Sequence, residues 1–129
     1  MTRTLSVIKA DIGGFVGHSG MHPEVMDILR SNMEKSIKNS LLIDGQVYSC
    51  GDDAFLIMSH DKGADNKEVH EFAWDSFIDG TEVAKKLHLY GAGQDLLVDA
   101  FSGNIKGAGP GSAELEYEER PSEPVIIFM

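Results

Sequence analysis

Cysteine, positive charge and long hydrophobic runs are all scarce in this 129-residue chain. Its one cysteine, Cys50, excludes an internal disulfide framework and fits a reducing cytoplasm. Eleven basic residues against twenty-one acidic ones leave a formal charge of −10. That balance argues against nucleic acid or an anionic membrane as the main partner. It leaves phosphorylated substrates open, because a divalent cation can bridge an acidic protein to a phosphate. No apolar run approaches the roughly 20 residues needed to cross a bilayer. The opening "MTRTLSVIKAD" has too short an apolar stretch for a signal peptide. Internal repeats, a G-x-S-x-G elbow and a thiolate zinc set are all missing, and "HEFAW" carries Trp74 where a zinc protease needs histidine.

What is present suits one α/β domain over residues 1–129, with 42% hydrophobic and 25% charged residues. "TLSVIKA" (4–10) reads as a strand that stops at Asp11 and the Gly13-Gly14 breaker. A helix follows, with Pro23 in its first turn, His22 at its start and Val25, Ile28, Leu29, Met33 and Ile37 at helical spacing. "VYSC" and "AFLIMSH" flank a turn at Gly51-Asp52-Asp53 and predict a hairpin. A second helix is predicted over about 66–88, weakened near its middle by Gly80. Six of the fourteen glycines fall at 91, 93, 103, 107, 109 and 111, a segment suited to tight turns or close backbone approach. In "AELEYEER", Ala113, Leu115 and Tyr117 alternate with Glu114, Glu116 and Glu118, as in a half-exposed strand. "VIIFM" (125–129) reads as a buried strand, so the chain is expected to be the front portion of a longer protein. An exposed edge there predicts self-association.

Oxygen-rich side chains at strand ends and glycine loops are the candidate ligands for a hard divalent cation: Asp11, His18, Asp52, Asp53, Gln94, Asp95 and Asp99. Adjacent carboxylates at a turn diverge, so Asp52 and Asp53 can serve different ions; spacing alone favours the other reading, a hairpin turn with solvated carboxylates. Asp11 follows an apolar strand and is either a ligand or a loop cap. His18 is either a ligand or a surface histidine, and His70 and Trp74 read as packing beside the second helix. "GAGPG" (107–111) is either an anion-binding nest or a loop between strands.

The motifs "SVIKADIGGFVGH", "GDDAFLIMSH", "VHEFAWDSF", "LYGAGQDLLVDAFSGNIKGAGPG" and "EERPSEPVIIFM" occur in an order that resembles the start of a known family. That family is the fructose-1,6-bisphosphate aldolase/phosphatases, the archaeal-type or class V fructose-1,6-bisphosphatases. The resemblance runs over nearly the whole chain. It implies a protein roughly three times longer, with a mixed β-sheet and two long helices on one face. In the full-length family this is part of a four-layer α-β-β-α sandwich, assembled into a homo-oligomer, often an octamer. It also implies a Mg2+-dependent enzyme of gluconeogenesis. Dihydroxyacetone phosphate and glyceraldehyde 3-phosphate are condensed through a lysine Schiff base. The 1-phosphate of fructose 1,6-bisphosphate is then hydrolysed to give fructose 6-phosphate.

Position by position, the resemblance makes Asp11, His18, Asp52, Asp53 and Gln94 the metal ligands. His18, Tyr90, Gly103 and Asn104 become contacts to the sugar phosphate. It places the Schiff-base lysine beyond residue 129, and neither Lys9 nor Lys106 matches that position. A non-catalytic module for divalent metal or phosphate, or a structural fragment with solvated acidic turns, is the alternative expectation.

Overall fold

The computed structural model describes residues 1–17, 19–93 and 110–129. Six elements follow one another: β1 (Thr2–Asp11), α1 (Pro23–Lys38), β2 (Asp44–Cys50), β3 (Asp53–His60), α2 (Lys67–Lys86) and β4 (Gly111–Glu118). The strands form one sheet in the order β2-β3-β1-β4, and each of its three pairings is antiparallel. The expected α/β class, hairpin and two helices are all present. The expected mixed sheet is antiparallel throughout its described strands.

Local chemistry sets the helix ends. His22 caps α1, with Nδ1 accepting the Glu24 N–H at 3.1 Å, and Pro23 occupies the first helical position, where its missing N–H costs nothing. Asn66 caps α2, its Oδ1 accepting the Val69 N–H at 3.1 Å. Lysines close both last turns, where they oppose the helix dipole.

Strand alternation divides the sheet into two faces. Ile8 and Ala10 of β1, Leu56 and Met58 of β3 and Val47 of β2 are buried with Val25, Leu29 and Met33 of α1 and Val69, Ala73 and Phe77 of α2. Both helices therefore cover one face. Gly80, read from sequence as a weak point, is where α2 comes close to Ile12: a Cβ there would lie 2.6 Å from Ile12 Cδ1. Its missing side chain is a packing requirement.

The other face carries Leu5, Val7, Phe55, Ile57, Ala113 and Leu115 in register, and no helix covers it among the described residues. The alternation in β4 is as expected, but its orientation inverts the usual relation of side chain to water. The glutamates point toward the helix side, and Leu115 on the open face is 49% exposed. Residues 125–129 form no strand, which corrects the reading of "VIIFM" as a buried one. They share a groove of about 540 Å³ with Leu5, Val7, Phe55 and Leu115, while Phe128 remains 93% exposed. Pro124 and Pro121 withhold two backbone donors just before this segment, which disfavours ladder pairing.

A polar chain crosses the helix side of the sheet. The buried His60 accepts the Lys62 N–H on Nδ1 at 3.1 Å, so its proton sits on Nε2, 2.8 Å from Ser6 Oγ. Ser6 in turn donates to Glu114 Oε2 at 2.5 Å. Burial pushes His60 below the ordinary histidine value of 6.5, against the opposing pull of the Glu114 and Asp61 carboxylates. Burial also resists ionisation of Glu114, but hydrogen bonds from Ser6, the Asp65 N–H and His70 outweigh it and hold the carboxyl below 4.5.

Both shifts are depressions, so both contributions to stability are present above the unfolded-state values and are lost as pH falls. Unfolding free energy from denaturant titrations is expected to fall first below about pH 6.5, as unfolded His60 takes up protons that the folded form resists. A second loss is expected below about pH 4.5, from Glu114. His60→Gln should flatten the first window. Stability that rises on acidification through that window contradicts a buried, neutral His60.

Candidate metal centre

Two short-range features and one long-range pairing build an acidic cluster at one end of the sheet. Gly51 has φ of 60°, placing it at the first position of a two-residue hairpin turn of the II′ kind, with Asp52 second. Asp53 therefore opens β3 rather than belonging to the turn, and it pairs with Cys50 across the hairpin. On its other side Asp53 faces Asp11, the last residue of β1. Carboxylate oxygens of Asp11, Asp52 and Asp53 lie within 4.8 Å of one another.

Asp52 is only 6% exposed, beneath the loop that carries Gly14 and Gly20. A Cβ added at Gly14 would lie 2.6 Å from Asp52 Cβ and 2.6 Å from the Gly20 carbonyl oxygen. Gly14 also exchanges two backbone hydrogen bonds with Tyr90, at 3.0 and 3.1 Å, and Gly93 N–H donates to the Ile12 carbonyl at 3.0 Å. The loop after β1 is thus laced to the segment that leads into the glycine-rich stretch. The Gly13 N–H reaches Asp11 Oδ1 at 3.3 Å.

Holding three carboxylates this close is costly. At an effective dielectric constant near 20, two unit charges at this spacing repel by about 3.5 kcal/mol. Lys9 Nζ lies 3.4 Å from Asp53 Oδ2, but both groups are partly solvated and such a pair contributes little. An all-oxygen donor set at this separation fits a hard divalent cation of the Mg2+, Mn2+ or Ca2+ class, whose charge would offset the like-charge repulsion.

Of the sequence-predicted site residues, Asp11, Asp52 and Asp53 come together, and the Tyr90 backbone is fixed beside them at Gly14. His18, Gln94, Gly103 and Asn104 lie outside the described residues, as do Asp95 and Asp99. Sequence reasoning did not connect Ser6, His60, His70 and Glu114. A polar residue on the buried side of an otherwise apolar strand, as at Ser6 and His60, is a local signal. The meeting with Glu114, 108 residues from Ser6, depends on strand register.

A family model described as Fructose-1,6-bisphosphatase matches residues 2–129. A fructose-1,6-bisphosphate aldolase/phosphatase of Moorella thermoacetica is 59% identical over 125 residues, 97% of this chain and 32% of that protein. The protein of the same name from Pyrobaculum neutrophilum is 53% identical over 129 residues, covering 99% of this chain and 32% of that protein. That from Metallosphaera sedula is 52% identical over 129 residues, covering 100% and 34%. The chain spans about a third of the length of the curated relatives it matches.

The contact at Gly14 yields a direct expectation. Gly14→Ala pushes on Asp52 and the Gly20 carbonyl, neither of which is the free end of a long side chain. Divalent-cation affinity should fall about ten- to a hundredfold, and unfolding free energy by about 1–3 kcal/mol. Calorimetric cation titration and chemical denaturation of the variant read the two effects separately.

Proposed function

We propose that this chain, which belongs to the fructose-1,6-bisphosphatase family, supplies cation-holding residues of a Mg2+-dependent fructose-1,6-bisphosphate aldolase/phosphatase. The observation that carries the reading is the convergence of Asp11, Asp52 and Asp53 within 4.8 Å, at the end of the β1–β3 pairing. The relatives are named fructose-1,6-bisphosphate aldolase/phosphatases. The reaction we assign on that footing is condensation of two triose phosphates and hydrolysis of the 1-phosphate to fructose 6-phosphate, a gluconeogenic pair of steps. We assign it to the cytoplasm. No helix among the described residues is long and apolar enough to cross a membrane.

In this reading Asp11, Asp52 and Asp53 hold Mg2+ together with His18 and Gln94. A metal held there would supply positive charge to offset phosphate oxygens and to make a water more acidic. The hairpin turn fixes Asp52, Gly14 leaves room for it, and Lys9 is the counter-ion of Asp53. Tyr90, held by its backbone to Gly14, joins His18, Gly103 and Asn104 in positioning the sugar phosphate. In this reading the Schiff-base lysine lies beyond residue 129, because neither Lys9 nor Lys106 matches the position that the family resemblance implies. The open apolar face is then the inner face of a four-layer α-β-β-α sandwich, since a sheet apolar on both sides needs a layer on both. Homo-oligomeric assembly completes this reading.

Calorimetric titration of Mg2+ into the chain should give binding heat that disappears in the Asp52→Ala/Asp53→Ala variant. No heat in the wild type, or heat unchanged in the variant, overturns the metal assignment. Phosphate release from fructose 1,6-bisphosphate should be absent with the 129-residue chain and present with a relative-length protein. Full activity of the chain by itself would show that the essential groups have been misplaced.

A further inference from the structure

At the opposite end of the helix side, a second group of ligating side chains comes from three separate elements. Asp65 precedes α2, His70 lies in its first turns and Glu114 is on β4. One ligand atom from each lies within 4.8 Å of the others. Ser6 is the strand partner of Glu114 and stands five residues before Asp11, which puts this group roughly 16 Å from the aspartate cluster. It is not the site described above.

We propose that Asp65, His70 and Glu114 form a second metal site that takes a borderline transition ion of the Zn2+ class. One imidazole and two carboxylates suit such an ion better than Mg2+, which favours oxygen alone. The spacing is close to what the ion needs. His70 Nε2 and Glu114 Oε1 are 2.9 Å apart, and tetrahedral coordination at zinc bond lengths sets ligand atoms about 3.3 Å apart. A small opening of the hydrogen bond admits the ion.

Glu114 is already oriented from behind. Its Oε2 accepts from Ser6, which is held by the buried His60, and its Oε1 accepts the Asp65 N–H at 2.9 Å. Outer hydrogen bonds of this kind fix a ligand's direction before the ion arrives. The Asp65 carboxylate makes no side-chain hydrogen bond or ion pair among the described residues and is free to close on the ion. Beside the group lies a cavity of about 530 Å³, lined by Asp65, His70, Lys67, Glu71, Trp74 and Ser112. It gives the ion an entry path and leaves coordination positions for water. Occupancy ties the loop before α2, α2 itself and the edge strand β4 through a single centre.

The ring resonances of His70 report on this site alone, because the aspartate cluster is remote from that ring. About one equivalent of Zn2+ added to the metal-free chain should shift them, while excess Mg2+ should leave them in place. Asp65→Asn alters an exposed residue and is expected to fold; it should weaken the Zn2+ response about tenfold. Three results overturn the proposal: ring resonances unmoved by excess Zn2+, an equal response to Mg2+, or unchanged Zn2+ affinity in Asp65→Asn. In the first case His70 and Glu114 serve only as a hydrogen-bonded pair; in the second the site does not select a borderline ion, and in the third Asp65 is not a ligand.

Discussion

The register of β1 against β3 is the constraint on which the rest of the molecule depends. It pairs Thr4 with His60 at one end and Asp11 with Asp53 at the other. With a side-chain period of two, a slip of β1 by one residue would send Ile8 and Ala10 away from the helices and bring Val7 and Lys9 under them. The same slip would separate Asp11 from Asp53 and move Ser6 out of reach of both His60 and Glu114. The register is held by apolar burial along its length and by the two-residue turn that fixes where β3 begins.

Because both polar assemblies hang on the ends of one ladder, packing energy between them maintains them. The aspartate cluster is an unfavourable arrangement of like charge, and the ordering of Asp52 under the Gly14 loop is imposed by its neighbours. The hydrophobic core supplies that constraint. Among the described residues seventeen apolar side chains are buried to less than a tenth of their surface, each worth about 1.5–3 kcal/mol for the larger side chains, so a few kcal/mol of local repulsion can be tolerated. The turn and the carboxylate cluster are accordingly the same feature: the conformation that makes Gly51-Asp52 a tight hairpin also delivers Asp53 to Asp11.

Much of this was legible from residues alone, and the exceptions have a common cause. Both helices, the hairpin and the alternation of Glu114, Leu115 and Glu116 follow from local periodicity and turn chemistry. Local periodicity says which residues share a face, not which layer that face meets. The glutamates of β4 read as solvent-facing, yet Glu114 and Glu116 accept backbone N–H groups of the loop before α2. His70 read as a helix-flanking residue for the same reason: its partner is 44 residues away. At the candidate metal centre, spacing favoured a plain turn over a ligand pair for Asp52-Asp53. The approach of Asp11 from another strand, which spacing does not carry, is what brings three carboxylates together. "VIIFM" is apolar enough for a buried strand, but it has no ladder to join here and lies in the open groove.

The distribution of apolar surface explains why an acidic chain carries its aspartate cluster where it does. Asp11 and Asp53 share strand parity with Lys9, Val7 and Phe55, so they belong to the face that the helices do not cover. Asp52, one residue out of phase, turns inward and is buried. The cluster therefore straddles the boundary between a finished hydrophobic layer and an open one. A hard cation there can be gripped from below by Asp52, which the core immobilises, and from the side by two strand-end carboxylates. Its remaining positions face the open side. Such a one-sided grip leaves room for oxygen atoms from a phosphate and from whatever layer covers Leu5, Phe55 and Leu115. In the proposed reading the three aspartates are thus the rigid part of a cation centre that stays open toward the apolar face.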